Sequence, residues 1–463
     1  VTHASRLFRS ETWFGFTDAR PLALLRVAMG LILIEDWLDR LRDLSAFLGE
    51  SGIVPVNHSP GTWSLFFWVT RPAGVVALDV VGLVAIVAFT CGYLTRLSTL
   101  LTWVFVHSVQ HRNLLVCDSG DTLVRVLLFW GLFVDLGGRF SLDLALGRRA
   151  PARWIPVLGV RFMQLQVAIM YASTALAKNG PSWANGTAIS RAVLNTDFGR
   201  PSGVWLAAVP WLCHFLSHAT VVIEGGFPIL ALSGPWQPWS RRAALLAGVG
   251  LHLGIFVFMK VGFFSLIVVA SYLVFVDAGA VDWAARRFPR LRAVGDEAEP
   301  PPSWYARDLC AVLLLQLLVI VHSQIHDVSP PESVELNITG TWQNWHMFSP
   351  NPPPLSYRFS AEGLDAEGRP VDVLAAAAPQ FAAQGGYRYS RWNKLRSNFE
   401  TGAGPILPIL GRYLCERYNR DPSRPALKSL SLYVDITRLP VPDLPLDARD
   451  QPHTLYLKRA CSG

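Results

Sequence analysis

Lys178 closes an apolar stretch, residues 155–177, and is followed at once by Asn179-Gly180-Pro181. Pro181 has no amide hydrogen and Gly180 frees the backbone, so this cluster stops a helix. The ammonium is left where a membrane helix meets its loop. Lysines in such places commonly snorkel to the headgroups, but a lysine held neutral in a dry site is a base. Other ionisable side chains share that end. His107 and His111 lie one helical turn apart, as do His214 and His218, a spacing that suits either interfacial residues or metal ligation. Asp118 and Asp121 precede Arg125, and Asp121–Arg125 has the spacing of a self-neutralising i,i+4 pair. Glu224 stands beside Gly225-Gly226 and Pro228, a pattern expected to open a helix locally. His252 lies about two turns from the end of its own segment. Burying so many polar groups without function is costly. Lys178, Asp121, Arg125 and His252 are therefore expected to line one cavity, with Glu224, His107, His111, His214 and His218 around it.

The elements that must hold these groups are membrane helices. The chain has 463 residues, 51% of them hydrophobic and 16% charged, with a mean hydropathy of +0.31. About 20 apolar residues cross a bilayer, and the pattern recurs at residues 21–38, 74–94, 98–115, 120–137, 155–177, 214–233, 243–259, 261–276 and 308–325. The sequence thus predicts an all-α polytopic membrane bundle of about nine transmembrane helices. Residues 204–212 read as an interfacial helix interrupted by Pro210. Arginines concentrate in alternate connections, among them Arg148, Arg149, Arg153, Arg241, Arg242, Arg286 and Arg287. This bias places the N-terminus in the cytoplasm and everything after the ninth span on the exoplasmic face of a cell membrane. The formal charge of +7 reads as topology, and no nucleic-acid partner is expected. No cleavable signal peptide is expected either, since the first span lacks a small-residue cleavage site.

Two domains follow: a transmembrane domain, residues 1–326, and a small C-terminal exoplasmic α+β domain, residues 327–463. Residues 293–302 read as a linker between the eighth and ninth spans. In the tail, residues 357–374 predict a hairpin turning at 365–368, residues 427–436 and 454–458 alternate like strands, and residues 405–419 look helical. The segment from Trp342 to Pro352, with Trp345 and Phe348, has the aromatic content of an interfacial anchor. Cys91, Cys213 and Cys310 suit apolar packing. Cys415 and Cys461 form a plausible disulfide, and nothing in the cysteine spacing suggests a metal site.

Collinear motifs resemble the vitamin K-dependent γ-carboxylase superfamily and its bacterial HTTM (horizontally transferred transmembrane domain) relatives. They are Asp18-Ala-Arg-Pro-Leu-Ala-Leu-Leu-Arg26, Gly92-Tyr-Leu-Thr-Arg-Leu-Ser98, Gly120-Asp121-Thr122-Leu123, Phe133-Val-Asp135 with Phe140-Ser-Leu-Asp143, and Tyr171…Lys178…Trp183…Gly186. His252…Gly262-Phe-Phe264 and Trp345-His-Met-Phe348-Ser-Pro-Asn-Pro352 complete the series. The resemblance implies Lys178 as the catalytic base and His252 as a pocket-lining or positioning residue. It implies a reduced vitamin K-type naphthoquinone as cofactor, oxygen and carbon dioxide as co-substrates, membrane lipid as surroundings, and an exoplasmic peptide or protein substrate. The chain departs from the family at Ser119-Gly120, where the animal enzymes carry Asn-His, and its outer domain is short. Propeptide-directed carboxylation is therefore not expected, while quinone or other redox chemistry at the pocket is. A noncatalytic membrane factor binding a lipid, quinone or exported peptide is the alternative, and a histidine-ligated metal or haem redox protein a weaker one.

Overall fold

The computed structural model describes residues 10–54, 62–232, 239–288, 306–329, 332–384, 386–400, 407–440 and 450–461. The linker expected at residues 293–302 lies outside them. The bundle is built from α1 (Ala19–Arg40), α2 (Pro72–Cys91), α3 (Thr95–Arg112), α4 (Ser119–Gly131), α5 (Leu158–Ala177), α6 (Pro210–Leu232), α7 (Trp239–Phe258), α8 (Phe264–Ser271) and α9 (Ala306–Ile325). Local chemistry sets several ends. The Asp18 side chain caps α1 by accepting from the Arg20 amide. Pro72 begins α2, and Gly92 ends it with φ 67°, the left-handed conformation that suits glycine at a helix C-terminus. Asp118 and Asp121 form a reciprocal capping box at the start of α4.

Among the described residues, four helices are long and apolar enough to cross a membrane: α2, α6, α7 and α9. Only 17 to 33% of the residues in their apolar windows are buried. These helices turn most of their apolar surface outward, as a lipid-facing rim must. Exposed Trp68, Trp205 and Trp211 mark one end of the bundle, and Trp239 and Trp283 the other, as in the aromatic belts at the two membrane interfaces. Helix α4 differs. It has 13 residues, nearly all buried, so it is roughly 20 Å long and enclosed by its neighbours.

The eighth expected span is also altered. Helix α8 continues as a 3-10 turn to Phe275, and the chain then bends by 107° into a further helix, Ala278–Arg287. It forms a fifth crossing only if that bent pair is taken as one span. Residues 204–212 divide into a short helix, Pro201–Ala207, and the start of α6 at Pro210. Proline lacks the amide a helix interior needs but is tolerated in its first turn. Glu224 does not open α6 either, because the helix runs unbroken from Pro210 to Leu232 with Pro228 inside it.

The tail carries a four-stranded antiparallel sheet. Its strands are β1 (Leu355–Asp365), β2 (Pro370–Asp372), β3 (Leu427–Arg438) and β4 (Gln451–Ala460), in the order β2-β1-β3-β4. The first turn lies where the sequence puts it, with Asp365 accepting from the Glu367 and Arg369 amides. Strand β2 is shorter than expected, because Asp372 caps a helical turn at Val373–Ala377. Helices α10 (Arg391–Glu400) and α11 (Leu407–Asn419) complete the layer, and Cys415 is disulfide-bonded to Cys461.

The two cores exchange segments. Leu336 and Trp345 pack in the bundle core. Phe47, Ile53 and Val116, from loops of the bundle, pack in the core of the sheet layer. The segment around Trp345 is consequently not an interfacial anchor. Trp345 is buried and donates through Nε1 to Gln343, and Gln343 accepts from Gln166 of α5 at 2.6 Å.

Candidate functional site

Helix α5 ends at Ala177, and the Lys178 amide caps it by donating to Ala175. Pro181 then starts a new short helix. Lys178 therefore leaves the helix at a fixed point with its side chain turned inward. Its Nζ lies 2.8 Å from Glu224 Oε2 and donates to Oε1 at 3.1 Å, and both side chains are buried. The ring of Trp183 lies 5.2 Å from the ammonium. Snorkelling to solvent is not the geometry adopted.

Next to this pair is a hydroxyl–imidazole cluster. His252 Nε2 and the Tyr171 hydroxyl share a hydrogen bond of 2.8 Å, and the same hydroxyl bonds that of Tyr272. Phe227 stacks on Tyr171 with centroids 4.2 Å apart, and Phe264 meets His252 edge-on. His252 Nδ1 is buried with no hydrogen-bond partner among the described residues. Gly248 makes room for Tyr272, since a Cβ there would stand 2.2 Å from the tyrosine hydroxyl. Lys178, Glu224 and His252, brought from α5, α6 and α7, thus meet around Tyr171 and Tyr272. The sequence pattern did not single out Tyr272. Its signal is faint, a hydroxyl in an apolar run opposite a helix that carries a histidine.

Asp121 and Arg125 belong to a different network, where the sheet layer docks. Their i,i+4 pair does not form. Asp121 is held by Arg40 at 2.6 Å and by Arg391 of α10 at 2.8 Å, and Asp36 also pairs with both arginines. Arg125 instead donates to Gln110 at 2.6 Å and to the Gly340 and Trp342 carbonyls. Arg391 and Arg396, which pairs with buried Asp197, went unnoticed in the sequence because nothing local distinguishes them from surface arginines. In the loop before α4, burial, with the charge of Asp121 adding to it, pushes the Asp118 carboxyl up to about 6.

The histidine pairs are placed apart from the lysine. His107 is buried and sandwiched between Trp63, at 4.0 Å, and His111, at 3.8 Å between centroids. His214 and His218 are exposed neighbours at the start of α6. Among the described residues, no three His, Cys, Asp or Glu side chains gather as a metal-binding group.

Over the lysine end, the segment after α9 folds back as a cover. Gly180 donates to the Pro350 carbonyl at 3.1 Å, Ser182 donates through its amide and hydroxyl to Asn351, and Trp183 donates to the Phe348 carbonyl. Together these features define a polytopic membrane protein with a buried, charge-paired lysine under a cap. A family model described as the HTTM domain matches residues 14–283, more than half of the chain. The protein belongs to the HTTM domain family, and the match is consistent with the vitamin K-dependent carboxylase superfamily. Neither the curated proteins nor the solved structures give a match.

Proposed function

We propose that this protein is a carboxylase-like membrane enzyme that acts on a reduced naphthoquinone of the vitamin K type, with Lys178 as its base and oxygen and carbon dioxide as co-substrates. The observation that carries the proposal is the buried Lys178–Glu224 pair beside the Tyr171–His252 hydrogen bond. The residues suit a quinol in kind: aromatic walls from Phe227 and Phe264, two phenol hydroxyls, and an imidazole nitrogen left unpaired. A glutamate γ-carbon is too weak an acid for any side-chain base, and a reduced quinone held by these residues would, with oxygen, supply the stronger base that this step needs.

The chain's own residues have defined tasks. Glu224, 2.8 Å from Nζ, takes up a proton from the ammonium and leaves a neutral amine able to accept another. His252 and Tyr171 orient hydroxyl groups of the bound ring. The cover formed by Phe348, Pro350 and Asn351 keeps water from the amine, which strengthens every electrostatic interaction beneath it. The acceptor is an exoplasmic peptide or protein.

The test is oxygen-dependent quinone epoxide formation by the purified protein in liposomes. Wild type should turn over, and Lys178→Ala and Lys178→Arg should not, because a guanidinium stays protonated. Undiminished epoxidation by Lys178→Ala would remove the lysine from catalysis. The departure at Ser119-Gly120 favours epoxidation without carboxylation. It also supports the second reading, a noncatalytic factor that binds a lipid, quinone or exported peptide. Quinone that co-purifies but is never converted would favour that reading.

A further inference from the structure

A cleft of about 360 Å³, lined by none of the residues around Lys178, opens where the loop after α1, the start of α2 and helix α11 of the sheet layer meet. Its walls differ in chemistry. Pro72, Val75 and Val76 at the start of α2 supply its aliphatic lining, and Glu50, Arg412 and Glu416, from the loop after α1 and from α11, its charged lining. The apolar side is the first turns of α2, the most hydropathic of the membrane-length helices, and Val76 is half exposed. Trp68, 71% exposed just before that helix, stands where an amphipathic ring marks the membrane–water boundary. The cleft therefore straddles that boundary, with its aliphatic wall towards the chains and its charged wall towards the headgroups.

We propose that this cleft is a binding site for a membrane phospholipid with an amine headgroup, of the phosphatidylethanolamine type. The charges select that headgroup. Glu416 stands between two arginines, with Arg412 Nε at 3.9 Å and Arg420 Nη2 at 3.8 Å, both too far for a strong hydrogen bond, and Glu50 is the second carboxylate of the lining. Arg412 can therefore turn to a phosphate oxygen while Arg420 stays with Glu416, and Glu50 receives the ammonium. An anionic headgroup would leave Glu50 facing a negative ligand. A quaternary amine would offer it no N–H.

The test is native mass spectrometry of the full chain released from nanodiscs of equal parts phosphatidylethanolamine, phosphatidylcholine and phosphatidylglycerol. The amine lipid should be retained about fivefold over each of the others, the scale of one partly exposed ion pair. Glu50→Gln with Glu416→Gln should bring the three to parity, and Val76→Trp should lower retention of all three by filling the aliphatic wall. Millimolar phosphoethanolamine should not displace the lipid, because it has no chains. Preference for phosphatidylglycerol, equal retention in wild type, or an amine preference that survives the double glutamine variant would overturn the assignment. The readout is independent of any turnover at Lys178.

Discussion

Removing Arg391 should undock the sheet layer from the bundle. Its guanidinium, 5% exposed, bonds Asp121 at 2.8 and 3.0 Å, the Val116 carbonyl at 2.9 Å, and Asp36. In Arg391→Met, two buried carboxylates are left to share one cation, Arg40. Truncating one partner of a buried charge network costs about 3–5 kcal/mol. Asp121 keeps Arg40 at 2.6 Å and the Asp118 amide at 2.8 Å, so the lower end, about 3 kcal/mol, is expected. Arg391→Lys should rescue little, because an ammonium cannot make several bonds in one plane. Denaturant titration in micelles measures the loss, and hydrogen exchange at α10 and the loop around Val116 locates it. In a double-mutant cycle with Asp121→Asn, the two changes should couple by about 1.5–3 kcal/mol. A loss under roughly 0.5 kcal/mol, the range of an ordinary surface change, with α10 still protected, would refute the assignment of docking energy to this network.

Three further outcomes are expected. Asp118→Asn keeps a capping side chain but removes a carboxyl pushed up to about 6. A carboxyl raised in the folded state destabilises it above that pH and ceases to do so as pH falls through 6 towards the ordinary carboxylate range. The variant should therefore be more stable than wild type at pH 8 and lose that advantage near pH 4, which melting curves across that window would check. Gly248→Ala puts a Cβ 2.2 Å from the Tyr272 hydroxyl and should cost about 1–3 kcal/mol; adding Tyr272→Phe should recover part of it, and an additive pair would contradict the contact. Cys415→Ser opens a bridge between residues 46 apart and should cost up to about 4 kcal/mol by loop entropy, with one fewer alkylation-resistant pair by mass.

Where one stretch of chain decides the outcome, the sequence was legible. Asn179-Gly180-Pro181 ends α5, and Asp365 to Gly368 makes the hairpin turn. Lys178 was expected beside Asp121, Arg125 and His252 with Glu224 only among the residues around them, and its direct ion pair with Glu224 was not foreseen. Patterns with two physical solutions went the other way. Pro228 can break a helix or be absorbed by one, and α6 absorbs it. Aromatic residues suit both an interface and a core, and Trp345 took the core. The Asp121–Arg125 spacing permits a pair, but each side chain found stronger partners far along the chain. Asp121 and Arg391 are 270 residues apart, and no local periodicity carries information over that distance.

Helix α7 touches the rest of the protein along a narrow seam. Its buried residues are Ser240, Ala244, Gly248 and His252, one every fourth position, and the last of them is the histidine bonded to Tyr171. Leu246, Val249, Leu253, Phe256 and Val257 point the other way. A single file of small side chains therefore separates the bilayer from the Tyr171–His252 pair, with Gly248 its thinnest point. An oily molecule dissolved among the lipid tails would meet that partition from the side. It would have one helix to push aside, and no aqueous phase to enter on the way.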